Sequence, residues 1–257
     1  GMTDYYVDPD ASGSNDGSSW ADAWTDLQTG LDTAEAGDTV FARGTQTLTA
    51  SLDIDQHEGD KTDGFIRVVG CNASGVNDGT RFVVDGDSAV VDCIKNWSMN
   101  WWWLENIECK NASGGQGFDG AGDPSYCVFI NCCGHNNSGV GFQTYQFIRS
   151  VFLLCVAYSN TSSGFGNDRS DNQYLFCRSR DNGGHGFDCS WGGALYFGCI
   201  ADHNGNDGFS NMGIATGCLI NCVSDANADD GVYQKTASPI VVMIGCRITN
   251  HSGTGDI

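Results

Sequence analysis

The chain has 257 residues, 40% of them hydrophobic, and a formal net charge of −20 from 32 acidic and 12 basic side chains. A chain of this size buries one substantial core, while its negative field repels nucleic acid and anionic lipid and excludes both as partners. No apolar run reaches the roughly 18 residues of a spanning helix, so no membrane insertion is expected.

The opening residues, GMTDYYVDPD, carry neither a basic segment nor an apolar one, so no export signal is seen. With Met2 as the start, the expected location is a phage particle, or the extracellular space after release. Residues 1–38 are expected to form an N-terminal strand and a capping helix. Trp20, Trp24, Leu27 and Leu31 recur at three to four residues between Ser19 and Ala36, with Ser19 as the helix N-cap. Strands are expected near Thr39–Arg43, Phe65–Gly70, Arg81–Asp85, Ala89–Ile94 and Trp101–Cys109, making residues 39–109 a set of irregular coils.

From residue 110 to 257 the sequence repeats. Cys109, Cys132, Cys155, Cys177, Cys199, Cys222 and Cys246 follow one another at 23, 23, 22, 22, 23 and 24 residues. Nine residues after the cysteine come Gly141, Gly164, Gly186, Gly208 and Gly231, each followed by Phe142, Phe165, Phe187, Phe209 or Val232. Five residues after it stand Asn137, Asn160, Asn182, Asn204 and Asn227, with Asn250 one position early in the last repeat.

Short apolar strands, dense turns and no helical period give an all-β fold: a single-stranded right-handed parallel β-helix, a three-sheet solenoid of 22–24-residue coils forming one domain over 1–257. Stacked coils lie about 4.8 Å apart, so each repeat position becomes a column. The asparagines are expected to hydrogen-bond from coil to coil, and the glycines to supply bends at positive φ. Alternation would place the cysteines inward with Ile130, Leu153, Leu175, Phe197, Ile220 and Ile244. Of the thirteen cysteines, the seven spaced for stacking are expected to form a reduced core ladder, because their separation exceeds disulfide geometry.

These ladders and the coil length resemble the pectin-lyase-like superfamily of right-handed parallel β-helices, which includes pectate lyases, polygalacturonases and phage tailspike domains. The opening run through GDTVFARG is similar to the capped entry of bacterial and phage members. The resemblance implies a polysaccharide or glycan partner, bound and cleaved along the coils by a lyase or glycoside hydrolase. It also implies an alternative, a non-catalytic tailspike-like or surface adhesion protein assembled as a trimer. Gly184-His185-Gly186 looks like a polygalacturonase signature, but Gly186 and Phe187 belong to the repeat, which leaves His185 as the informative residue.

Candidate sites are polar columns that depart from the ladders. Eight residues after the cysteine the column reads Val140, Ser163, His185, Asp207, Asp230, Thr254, with Asp229 beside it. His185, Asp207 and Asp230 are candidate catalytic groups: carboxylates on adjacent coils match a retaining glycosidase pair, and their proximity would raise one pKa and supply an acid. Asp229 and Asp230 are candidate metal ligands, with calcium the candidate cofactor; the plain alternative is a solvated turn. In lyases of the superfamily an Arg or Lys removes the proton, which brings in Lys235. Arg178, Arg180 and Asp202 are candidate substrate-binding residues, the last two as a cross-strand pair, with Asp168 and Arg169 near the same groove. Tyr158, Tyr174 and Tyr196 are candidate sugar-stacking residues. The column holding Tyr174 and Tyr196 faces outward if strict alternation holds and is core if a bulge shifts the phase.

Overall fold

A computed structural model describes residues 2–166, 171–189, 193–212, 217–234 and 241–253. Among them, parallel strands form three sheets that wind into a solenoid of about eight turns. Sheet I has ten strands, from Asp4–Val7 to Val242–Ile244. Sheet II has nine, from Thr45–Thr47 to Arg247–Thr249, and sheet III has eight, from Leu52–Asp53 to Val232–Gln234. Each coil visits the sheets in that order, and every strand pairs with the same position one coil away.

Two aromatic stacks fill the core. Phe118, Phe142, Phe165, Phe187 and Phe209 stack face to face at 4.6–5.0 Å between centroids. Phe129, Phe152, Tyr174 and Tyr196 do the same at 4.6–5.0 Å. The stacks meet edge-on, as between Phe152 and Phe165 at 84°. Such pairs add about 0.5–1.5 kcal/mol each beyond the area they bury.

The second stack is the column expected to face outward under strict alternation. Its burial traces to one residue between sheets I and II. Asn131, Leu154, Phe176, Gly198, Asn221 and Gly245 all have φ between 50° and 65°, a left-handed bend just before each cysteine. The bend inserts a phase shift, so the cysteine and the residue three before it both point inward. Ile130, Leu153, Leu175, Phe197, Ile220 and Ile244 turn outward instead, and none of them is buried.

The cysteine ladder is reduced, with all thirteen thiols free. Each ladder thiol donates across the coil, as from Cys177 Sγ to the Phe152 carbonyl at 3.2 Å and from Cys199 Sγ to that of Tyr174 at 3.2 Å. Cys109 stands outside this column: Ile107 takes the ladder position, and Cys109 pairs with Gly134, two residues on. Burial pushes the Cys127 and Cys133 thiols up to about 12. Ellman's reagent is therefore expected to modify no more than the half-buried Cys218 and Cys246 in the native protein, and all thirteen thiols after denaturation.

The asparagine ladder is continuous from Asn137 to Asn227. Each Nδ2 donates to the next Oδ1 at 2.9–3.0 Å, and each backbone N–H donates to the same oxygen. Asn250 does not continue it; it adopts φ 60° and donates to Asp225, and His251 occupies the turn below Gly231. The repeat glycines are not at positive φ. They are glycines because a Cβ would strike the ladder and the inward residue, as at Gly164, 1.9 Å from Ser179 Oγ.

The N-terminal helix is shorter than the hydrophobic period suggests. Helix α1 spans Leu27–Thr33, and its N-cap is Asp26, not Ser19. Trp24 forms a parallel bridge with Val7, its N–H donating to Tyr6 O and its carbonyl accepting from Asp8 N. That extended backbone holds off the helix until Asp26. Leu27, Gly30 and Leu31 bury the helix against the first coil. Two strands differ as well: of 89–94 only Ile94 is in a strand, Ile94–Lys95, and Asn106 at φ 55° splits 101–109 into Trp102–Glu105 and Ile107–Lys110.

Candidate functional site

The candidate site lies on the turns that lead from sheet II into sheet III. His185 precedes the strand Phe187–Asp188, Asp207 precedes Phe209–Met212, and Asp230 precedes Val232–Gln234. Because those strands stack in register, the three side chains line up coil on coil. His185 Nδ1 lies 3.1 Å from Asp207 Oδ2. The same Nδ1 lies 3.3 Å from the Asp207 N–H. A protonated ring donates to the carboxylate and a neutral Nδ1 accepts from the amide, so the contact made depends on the proton.

Asp207 is 4% exposed and densely bonded. Ser210 Oγ donates to its Oδ2 at 2.6 Å, and the Asp230 N–H to its Oδ1 at 3.1 Å. Burial works to raise this carboxyl, but the bonds from His185, Ser210 and the Asp230 amide outweigh it and hold it below the ordinary value. Of the two carboxyls in the expected pair, Asp207 is therefore not the raised one.

Asp207, Asp229 and Asp230 place carboxylate oxygens within 4.8 Å of one another. On the next coil stands Gly253, where a Cβ would fall 1.9 Å from Asp230 Oδ1. The Asp230 carboxylate therefore fills the space that a side chain at 253 would take. Three hard oxygen donors this close together suit calcium, which takes six to eight oxygens and completes its shell with carbonyls or water.

The column has a structural side that its residue types did not announce. Asp92 Oδ1 accepts the Gln116 N–H, Gln116 Oε1 accepts that of Val140, and Ser163 Oγ accepts that of His185. His185 and Asp207 continue the same side-chain-to-amide pattern. Spacing from the cysteines hid Asp92 and Gln116, because the coils before residue 127 are out of phase; Ser210, one residue after the repeat phenylalanine, was legible but unremarked.

Lys235 lies outside the described residues, as do Asp168 and Arg169. The remaining candidates separate from the site. Tyr174 and Tyr196 are 1% exposed in the core stack and cannot meet a sugar. Tyr158, on the outer face of sheet II, lies between the His135 ring at 4.5 Å and the Arg180 guanidinium at 4.7 Å. Arg180 faces Asp202 in the strand register, yet it bonds Asp181 instead. The carboxylate of Asp202 is gripped by Arg178 through Nε at 3.0 Å and Nη2 at 2.9 Å, and by His203 at 3.2 Å. Burial opposes ionisation of Asp202, and these partners reverse it.

Another carboxyl is shifted in the opposite direction. Asp119, on the outer face of sheet III, is pushed up to about 6 by burial and then by the charge of Asp92. The protonated form is favoured in the fold, so its stabilising contribution is complete below the ordinary carboxylate range and is lost as pH rises through about 6. Asp119→Asn is expected to melt above the parent at about pH 8 and with it at about pH 3.5, read by scanning calorimetry.

No family model matches the chain, and no curated protein sequence resembles it at a significant level. Solved structures do. Pectate lyase Pel9A superposes with a TM-score of 0.75 at 17% identity, over 100% of this chain and 78% of its own. A rhamnogalacturonan lyase gives 0.70 at 15%, over 97% and 74%. The pectin methylesterase from Aspergillus niger gives 0.53 at 12%, over 98% and 85%. With three parallel sheets, one turn of solenoid per repeat and these neighbours, the chain has the pectin-lyase-like right-handed parallel β-helix fold.

Proposed function

We propose that the chain is a calcium-dependent polysaccharide lyase acting on a uronate-bearing glycan at His185, Asp207, Asp229 and Asp230. The observation that carries this reading is the cluster of three carboxylates, Asp207, Asp229 and Asp230, within 4.8 Å of one another. A calcium ion there would neutralise the uronate carboxylate and make the adjacent C–H more acidic. It also answers the charge problem: a protein at −20 repels a polyanion unless a cation bridges them.

The chain's own residues then divide the work. Asp229 and Asp230 would hold the metal together with Asp207. In the neutral tautomer whose Nδ1–H donates to Asp207, itself held by Ser210, the His185 ring offers Nε2 as the acceptor for the proton next to the uronate carboxyl. As that C–H bond breaks, its electrons form a double bond to the neighbouring carbon, and the glycosidic oxygen leaves that carbon with a proton from water.

A second reading is a non-catalytic, tailspike-like glycan binder. It draws on the amide contacts of Asp92, Gln116, Ser163 and His185, which give the column a structural task without chemistry. A panel of polysaccharides assayed for unsaturated-uronate absorbance and for reducing ends, with and without EDTA, separates the two. Absorbance that EDTA abolishes is the expected result. Reducing ends without absorbance would mean a hydrolase, and binding without either would mean the second reading.

A further inference from the structure

The outer face of sheet I is apolar over six coils. Its first outward column, in the order of the strands from Val128–Ile130 to Val242–Ile244, reads Val128, Val151, Gln173, Leu195, Cys218, Val242. The second reads Ile130, Leu153, Leu175, Phe197, Ile220, Ile244. At the bend beyond them stand Leu154 and Phe176, and past it the column Val156, Arg178, Ile200, Val223, Arg247 begins the outer face of sheet II, where two arginines edge the apolar patch. No Asp, Glu, Lys or Arg occupies any position of the two sheet I columns.

This face is exposed. Leu154 is 51% accessible, Phe176 53%, Ile244 56%, Val242 38% and Ile200 36%. With a large apolar side chain offering on the order of 150–200 Å², these five present roughly 400 Å². Their half-buried neighbours add about as much, which reaches the ~800 Å² per partner of a standard interface. A contiguous apolar surface of that size is a docking surface, not scattered exposure.

Leu154 and Phe176 carry a second sign. They sit at φ 55° and 53°, in the column whose other members are Asn131, Gly198, Asn221 and Gly245. Asparagine and glycine take that conformation cheaply, whereas a bulky apolar residue is strained there. These two residues accept the strain and aim an apolar side chain at solvent. Phe176 even has a place made for it, since a Cβ on Gly198 would fall 2.6 Å from its ring.

We propose that this face docks against the same face of a second copy of the chain, about a two-fold axis. The area fits that occupant, since roughly 800 Å² per partner is what a standard interface buries. Two molecules at −20 each repel through most of their surface, and the carboxylate-free columns let them meet with their charges turned away from the seam. Geometry agrees: ridges of Leu, Ile, Val and Phe repeating at about 4.8 Å interdigitate with a partner of the same period, and flat sheets pack face to face about 10 Å apart. A two-fold axis makes the patch complementary to itself.

Light scattering coupled to size exclusion at about 10 μM tests this. The parent chain of 27.3 kDa is expected at twice its mass. Phe176→Asp and the milder Leu154→Ser are expected to shift it to a single chain with an unchanged far-UV spectrum, while Tyr233→Asp, on the outer side of sheet III, leaves the dimer intact. A monomeric parent, or a dimer indifferent to both sheet I variants while they fold, overturns the proposal. A trimer that falls apart in those variants overturns the two-fold arrangement.

Discussion

Asn182→Ala is expected to cost about 4 kcal/mol of unfolding free energy, well above the usual single substitution. Asn182 is an inner rung of the ladder. Its Oδ1 accepts from the Asn160 N–H at 3.1 Å and from Asn160 Nδ2 at 2.9 Å, while its Nδ2 donates to Ala157 O, Ser179 Oγ and Asn204 Oδ1. Alanine deletes all five. The Asn160 N–H then sits buried with no acceptor, at about 1–3 kcal/mol for that group alone, and the lost bonds and the small void supply the rest. In a solenoid each coil leans on its neighbours, so a fault in the middle separates two halves. Asn137→Ala, at the end of the ladder, should cost less, because only the Ala112 N–H loses its acceptor from the coil before. Urea unfolding of the three proteins measures both effects, and a cost below about 1 kcal/mol at Asn182 would sink the claim that the ladder stabilises the fold.

The ladders were legible because each column repeats one residue type for a local reason. Asparagine satisfies a turn, phenylalanine stacks, and cysteine fills a narrow corner and donates to the preceding coil. The inward and outward assignment on sheet I was not legible. Leu154 and Phe176 at the bend do not look like left-handed residues, so alternation carried through them buries Leu153 and Leu175 and exposes Tyr174 and Tyr196, the reverse of the structure. The helix boundary failed similarly, since a tryptophan at helical spacing can equally be bridged to a strand, as Trp24 is to Val7. At the candidate site, the stacking of His185, Asp207 and Asp230 followed from the repeat. Which way the Asp207 pKa moves did not, because it depends on Ser210 and on the Asp230 amide, contacts that exist only once the turn is built.

Asp230→Asn is expected to lower lyase activity by 10²-fold or more and to remove its response to added calcium, whereas His185→Gln lowers activity as strongly and leaves calcium binding intact. The two substitutions act on different jobs. Asparagine at 230 keeps the shape but withdraws one of the three negative charges on which a divalent ion depends. Glutamine at 185 removes the proton acceptor while leaving the three carboxylates in place. Asp207→Asn should do both, because the same carboxylate faces the cluster and orients the ring at 3.1 Å. Its pH dependence adds a discriminating sign. Asp207 is held below the ordinary carboxylate range, so its contribution to folding is present above that range and is lost only as pH falls through its lowered pKa. An activity loss on mild acidification would then belong to another group, and it should persist in Asp207→Glu if that variant stays active. Calorimetric calcium titration of the parent and the three variants, run beside the absorbance assay, checks the division. If Asp230→Asn binds calcium as the parent does, the carboxylate cluster is not the metal site, and the His185 column is left with the structural role that its amide contacts already give it.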